Sequence, residues 1–223
     1  MASGIVASIL DCDFTRLGEE VRAVDAYVDR FQVDVMDGHF VPNLSFGFPI
    51  LRAMRQLTKK PLEADLMIAN PDRYAGKYAE AGADWVLIHV EASQDPRRTF
   101  KEIRDAGGRP GISLSPGTSA EAVFDHLGEV DMILVMTVHP GAGGQRFMPE
   151  QLAVVEQIRA RIRQSGRDIP IEVDGGIKPD TARRAAAAGV SLFVSGSFIF
   201  RSKDYRSAIA TLRESVKWPS HRS

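Results

Sequence analysis

The 223-residue chain has one cysteine, Cys12. A lone thiol makes no internal disulfide, and nothing here has the spacing of a cysteine-type structural zinc site, so a disulfide scaffold and a zinc finger are both excluded. Neither charge sign dominates: 28 Lys+Arg against 29 Asp+Glu leave a formal net charge of −1. That excludes a protein built to bind nucleic acid through bulk charge. No apolar run reaches the ~18 residues that a membrane span needs. The opening MASGIVASIL lacks a basic segment and meets Asp11 and Asp13 almost at once, a poor secretory signal. The expectation is a soluble, cytoplasmic protein with neither a nucleic-acid nor a membrane partner.

What is present is a repeated alternation. Eight short apolar runs occur at 5–10, 31–36, 62–67, 85–90, 111–115, 132–138, 169–174 and 191–196. They are nearly continuous, as strands buried on both faces of a parallel sheet are. Amphipathic stretches separate them. Helices are expected over 14–28, from Pro71 to near Gly82, over 149–165, over 179–188 with Gly189 as C-cap, and over 203–216. Eight β-α units at this length predict an α/β fold, a (β/α)8 TIM barrel, as a single domain over 1–218 with a loose tail at 219–223. An open doubly wound sheet is the alternative, and eight alternations would crowd it.

A barrel places its chemistry at the C-terminal strand ends. Those ends carry Ser8; Asp34 and Met36, with Gln32 two residues earlier on the same face; Asp65 and Met67; His89 and Glu91; Ser113 and Ser115; Met136 and His139; Asp174; and Gly196–Ser197. Three aspartates, Asp34, Asp65 and Asp174, thus face one space. Buried carboxylates are costly unless paired or coordinated, so either a divalent cation neutralises them or one holds a proton at neutral pH. Glycines cluster at the last three ends: Gly141, Gly143 and Gly144 around Ala142, then Gly175–Gly176, then Gly196–Ser197. Glycine lets backbone N–H groups approach an anion, and barrels often bind phosphate after strands 7 and 8. Gly141–Gly144 reads as a mobile lid. Met36, Met67 and Met136 are either plain core or a water-excluding wall. No strand end carries a lysine, which argues against Schiff-base chemistry. His39 reads as a solvated loop residue, and His126 and His221 suggest no site.

The segments VDVMDGHFVPN (33–43), LMIANPDRY (66–74), VMTVHPGAGGQRF (135–147), IEVDGG (171–176) and SGSFIF (195–200) resemble those of ribulose-phosphate 3-epimerases, in order and over essentially the whole chain. ASILDCDFTRLGEE (7–20) looks like that family's opening strand and helix. The resemblance implies a metal-dependent, homo-oligomeric isomerase of carbohydrate metabolism. Such an enzyme inverts C3 of a ketose phosphate, interconverting D-ribulose 5-phosphate and D-xylulose 5-phosphate of the pentose phosphate series through an enediolate. By position, Asp34 and Asp174 match its two acid/base aspartates, which are also metal ligands. Ser8 matches a substrate-binding serine, and the glycine segments match the phosphate and lid elements.

The chain departs from the family pattern at three places. The family's His-x-Asp-x-Met is here Gln32-Val33-Asp34-Val35-Met36, its His-Leu-Met is Asp65-Leu66-Met67, and its lid phenylalanine is Ala142. The metal set implied is therefore Gln32, Asp34, Asp65 and Asp174, all-oxygen if Gln32 offers its carbonyl. Oxygen donors favour Mg²⁺ or Mn²⁺ over zinc or iron, with a metal-free site as the other outcome. Two alternatives stay open: a repurposed enzyme acting on another sugar phosphate by isomerisation or elimination, and a non-catalytic sugar-phosphate binder.

Overall fold

The computed structural model describes residues 3–217. The expected tail at 219–223, and His221 within it, lie outside the described residues. Eight parallel strands close into a barrel in chain order: β1 (Gly4–Ser8), β2 (Arg30–Met36), β3 (Leu62–Met67), β4 (Trp85–His89), β5 (Arg109–Leu114), β6 (Met132–Met136), β7 (Ile171–Asp174) and β8 (Leu192–Ser195), with β8 pairing back onto β1. The helices are α1 (Leu17–Asp25), α2 (Phe48–Leu57), α3 (Ala75–Glu80), α4 (Pro96–Asp105), α5 (Gln151–Gln164), α6 (Pro179–Ala188), α7 (Ser197–Phe200) and α8 (Tyr205–Ser215).

Each strand buries both faces, and the two faces serve different cores. Ile5, Ala7, Val33, Val35, Leu66 and Ile88 pack outward against the helices. The alternate residues Val6, Met36, Met67, Leu87, Leu134 and Val194 fill the barrel. Period-2 alternation with both faces covered produces the continuous apolar runs seen in the sequence.

Local chemistry corrects the helix expectations. The stretch 14–28 begins as a 3-10 turn, Phe14–Arg16, because Asp13 accepts from the Thr15 N–H; α1 then ends at Asp25. Likewise, Asn70 caps a 3-10 turn, Pro71–Arg73, ahead of α3. The β5–β6 crossover is also 3-10, Ala120–His126; it buries Ala120 and Val123, whose i, i+3 spacing suits three residues per turn. The expectation for α6 matches its span, from Pro179 at its first turn to Gly189 at φ +105.

The barrel interior is polar on one side. Register pairs Gln32 with Glu63, Asp34 with Asp65 and Met36 with Met67 across β2–β3, and Met136 with Asp174 across β6–β7. Below the aspartates, Glu63 and Glu172 are fully buried. Arg30 Nη1 meets Glu63 Oε1 at 2.6 Å while its guanidinium stacks 4.7 Å over Trp85. Burial, followed by the charge of Glu63, holds the Glu172 carboxyl well above the usual carboxylate range.

Candidate active site

At the C-terminal mouth, Asp34, Asp65 and Asp174 each offer one oxygen, and these lie within 4.8 Å of one another. Asp34 and Asp65 are buried, while Asp174 is partly open to the cavity. Between Asp34 and Asp174 sits the Gln32 amide: its Nε2 donates to Asp34 Oδ1 at 2.8 Å and to Asp174 Oδ2 at 3.0 Å. This corrects the expectation that Gln32 presents its carbonyl to the cluster. As oriented, Gln32 braces the two carboxylates with donors, and its buried Oε1 has no hydrogen-bond partner. The reason is electrostatic: a neutral NH₂ is the better neighbour for two carboxylates.

Ser8 Oγ donates to Asp34 Oδ2 at 2.6 Å, so both oxygens of Asp34 are occupied. Burial still outweighs these bonds and, helped by the charge of Asp65, holds the Asp34 carboxyl up at about 6. Burial, then the charges of Asp34 and Asp65, pushes Asp174 well above its ordinary value.

Asp65 is placed differently. It receives Ser113 Oγ at 3.0 Å, and its Oδ1 lies 3.7 Å from His89 Nε2. His89 is fully buried, with Nδ1 3.3 Å from Glu91 Oε2 and its ring 4.9 Å from that of Phe40. Burial disfavours charge on this imidazole, but the Asp65 carboxylate and Glu91 outweigh it and raise His89 to about 9. Asp65 therefore has a buried cationic neighbour. His89 and Ser113 are strand-end residues whose part in the site sequence reasoning did not assign. The signal that could have found them is the parity of β4 and β5, which points both inward beside Asp65.

The cavity below the lid is lined by Ser8, Asp34, Asp174 and the methionines Met36, Met67 and Met136. Gly141, Ala142, Gly143, Gly144, Gly175, Gly176, Gly196 and Ser197 line it as well. Gln32 and Asp65 do not line it; each lies behind the residues that do. Asp11, absent from the expectations, does line it, and Arg201 pairs with Asp11 at 2.6 Å. The enclosed space is about 40 Å³, room for a few waters. Two side chains outside Gly141–Gly144 bond to it: Asn43 Nδ2 donates to the Gly141 carbonyl at 2.8 Å and Gln145 Nε2 to the Ala142 carbonyl at 2.9 Å. Glycine is required at Gly176: φ is +64, and a Cβ there would meet Phe147 N at 2.6 Å. His39 is solvated, as expected, with its side chain 80% exposed.

The donor set fits a hard divalent cation. Its three converging carboxylates are all oxygen donors, and the buried Asp65 Oδ2 lacks any hydrogen-bond donor; Gln32, as oriented, is not part of the set.

Residues 4–200 match the model of the ribulose-phosphate 3 epimerase family. The chain is 47% identical over 209 residues to ribulose-phosphate 3-epimerase of Mycobacterium tuberculosis, covering 94% of this chain and 91% of that one. It is 42% identical to the cytoplasmic isoform of ribulose-phosphate 3-epimerase from Oryza sativa, covering 100% and 98%. Among solved structures, KGPDC from Streptococcus mutans superposes with a TM-score of 0.76 over 97% of this chain and 98% of that one; at 17% identity this likeness concerns the fold alone.

Proposed function

The chain belongs to the ribulose-phosphate 3-epimerase family, and from that membership we propose how its residues share the reaction. It is an isomerase, an epimerase of the kind for which its curated relatives are named. The substrate is a phosphorylated ketose, and the reaction inverts C3 as between D-ribulose 5-phosphate and D-xylulose 5-phosphate.

The carrying observation is the Asp34–Gln32–Asp174 bridge, which fixes two carboxylates from β2 and β7 at the floor of one cavity. Inverting a carbon alpha to a carbonyl needs a base on one face and an acid on the other. Burial and mutual charge raise both carboxyls and couple them, so a proton on either one favours ionisation of the other. One aspartate removes the C3 proton to give the enediolate, and the other delivers a proton to the opposite face. Ser8 positions Asp34, and Gln32 keeps the separation constant as the proton changes sides. The backbone amides around Gly175–Gly176 and Gly196–Ser197 hold the phosphate, and the lid Gly141–Gly144 closes over it. Met36, Met67 and Met136 wall the reacting carbon from water.

A bound Mg²⁺ or Mn²⁺ would be held by Asp34, Asp65 and Asp174, joined by Gln32 with its amide turned over, and would supply polarisation of the substrate's oxygens. The His89 cation offsets the negative charge that Asp65 adds relative to a histidine in its place. Asp65 lies behind the cavity wall, clasped by Ser113 and His89, which supports a holding role over separate acid/base work and favours epimerisation over elimination.

We place the enzyme in the cytoplasm, since no described helix is long and apolar enough to cross a membrane and the rice relative is named a cytoplasmic isoform. We also read the chain as a single barrel over 1–218 that forms a homo-oligomer, because Leu44 is 75% exposed and Phe14 42%. The test of the chemistry is exchange. Ribulose 5-phosphate incubated in D₂O should acquire deuterium at C3, and Asp34→Asn or Asp174→Asn should slow this by ~10²–10⁴-fold. Absence of exchange with any pentulose phosphate overturns the assignment.

A further inference from the structure

Outside the lid lies a second, larger chamber of about 570 Å³, and its walls include Gly144, Gly176 and Ser197 of the phosphate cradle. The two spaces thus share one partition, formed by Gly144–Gln145, Gly176–Ile177 and Ser197. The proposed chemistry uses only the inner one. Four cations from three segments line the outer chamber: Arg146 just after Gly141–Gly144, Lys178 at the N-cap of α6 with Arg184 within that helix, and Arg201 after α7. Asp180 is its only carboxylate among the described lining residues.

Exposed arginines and lysines are ordinarily solvated or paired with a neighbouring acid. Here, Arg146, Lys178 and Arg184 make no ion pair among the described residues, and Asp180 leans instead toward Arg183 at 4.0 Å. Arg184 is not free to wander, since its guanidinium lies 5.9 Å above the Phe147 ring. Arg201 is anchored to Asp11 on the cavity side, which sets its guanidinium against the Gly144 backbone at the boundary between the chambers. The first residues of the ten-residue helix α6 form another wall, so the positive end of its dipole adds to the same field. A concave space with this charge balance and volume suits a phosphorylated ligand.

We propose that the outer chamber is a second anion site contiguous with the cradle, and that the two together take a diphosphate group. One phosphoryl would sit on the glycine amides and the next among Arg146, Lys178, Arg184 and Arg201. This rests on the reading that the cradle holds phosphate. Free pyrophosphate and a nucleoside diphosphate share the chemistry. Such a ligand competes with the sugar phosphate for the cradle and makes the epimerase responsive to diphosphate levels.

Calorimetric titration of the purified protein with orthophosphate, pyrophosphate and ADP tests this. Pyrophosphate should bind ~10-fold or more tighter than orthophosphate, through added charge-assisted contacts. Arg184→Gln and the Arg146→Gln/Arg184→Gln pair should weaken pyrophosphate by about 5-fold and more while leaving orthophosphate and the KM for ribulose 5-phosphate within about 2-fold. Any withdrawal of metal by pyrophosphate is the same in wild type and variants, so their difference reports the site. ADP binding as tight as pyrophosphate, with the same variant response, supports a nucleoside diphosphate as occupant; pyrophosphate alone supports the inorganic ion. Equal affinity for orthophosphate and pyrophosphate, or variants indistinguishable from wild type, overturns the outer site and leaves the cradle standing. Failure of all three ligands to bind overturns both.

Discussion

Replacing Gly176 with alanine tests the link between the cradle and the lid. Gly176 has φ +64, and a Cβ built on it falls 2.6 Å from Phe147 N, 2.9 Å from Phe147 Cα and 3.0 Å from the Gln145 carbonyl oxygen. All three atoms are backbone, so no side-chain rotation relieves the contact and the lid's C-terminal segment must shift. The left-handed φ costs an alanine ~1–2 kcal/mol, and backbone overpacking costs ~1–3 more. A loss of about 3 kcal/mol lowers Tm by roughly 6–12 °C in a domain of this size. Two glycines separate these contributions. Gly107→Ala carries φ +87 with nothing within 4 Å of the new Cβ, so only the backbone cost of ~1 kcal/mol applies. Gly128→Ala has neither penalty and should be neutral or slightly stabilising. Functionally, the displaced segment shares the cradle, so KM for the sugar phosphate should rise by about 10-fold, equivalent to ~1.4 kcal/mol, with kcat changed less. Thermal unfolding beside a coupled epimerase assay reads both effects. Gly176→Ala no less stable than Gly107→Ala, with wild-type KM, would refute the reasoning.

Three further outcomes are expected. Glu91 is depressed to about 2: burial opposes its charge, but bonds from His89, Thr118 and the Ser115 N–H outweigh that. A depressed folded pKa stabilises above the unfolded value near 4.5 and ceases to as pH falls through about 2. Glu91→Gln should therefore cost up to ~3 kcal/mol at pH 7, with the denaturant curves of variant and wild type converging between about pH 4.5 and 2; a pH-independent difference would contradict this. Arg30→Met removes the cation held 2.6 Å from buried Glu63 and should destabilise by about 3–5 kcal/mol, relieved in the Arg30→Met/Glu63→Gln double variant. Chelator-treated enzyme should regain activity best with Mn²⁺ or Mg²⁺, and elemental analysis of untreated protein should show little zinc; stoichiometric tightly held zinc defeats the oxygen-donor assignment.

Much of the barrel was legible because burial on both strand faces leaves an unbroken apolar signal. Each of the eight runs overlaps an observed strand, and 62–67 coincides with β3. The helices 48–57 and 96–105 were not picked out, although each carries a Pro in its first two positions and buries one stripe; the long loop between strand 2 and 48–57 blurs periodicity there. The three aspartates were legible from strand parity alone. The orientation of Gln32 was not, since an amide presents a donor or an acceptor with equal ease and only its neighbours decide. The Asp11–Arg201 pair joins residues 190 positions apart, a distance over which local pattern is silent. His89 was visible at its strand end, but its charge depends on Asp65 and Glu91 together, which only the folded geometry supplies.

The Asn43 clasp on Gly141 has a consequence for turnover. A neutral amide–carbonyl bond contributes ~0.5–1.5 kcal/mol net, so parting it slows release by no more than about 10-fold. If Gly141–Gly144 is the cover proposed above, this clasp is loose enough that products escape without a large added barrier. Because the latch springs from the loop that follows the base-bearing second stave, shortening Asn43 to alanine should bias the gate toward its ajar form without touching either aspartate.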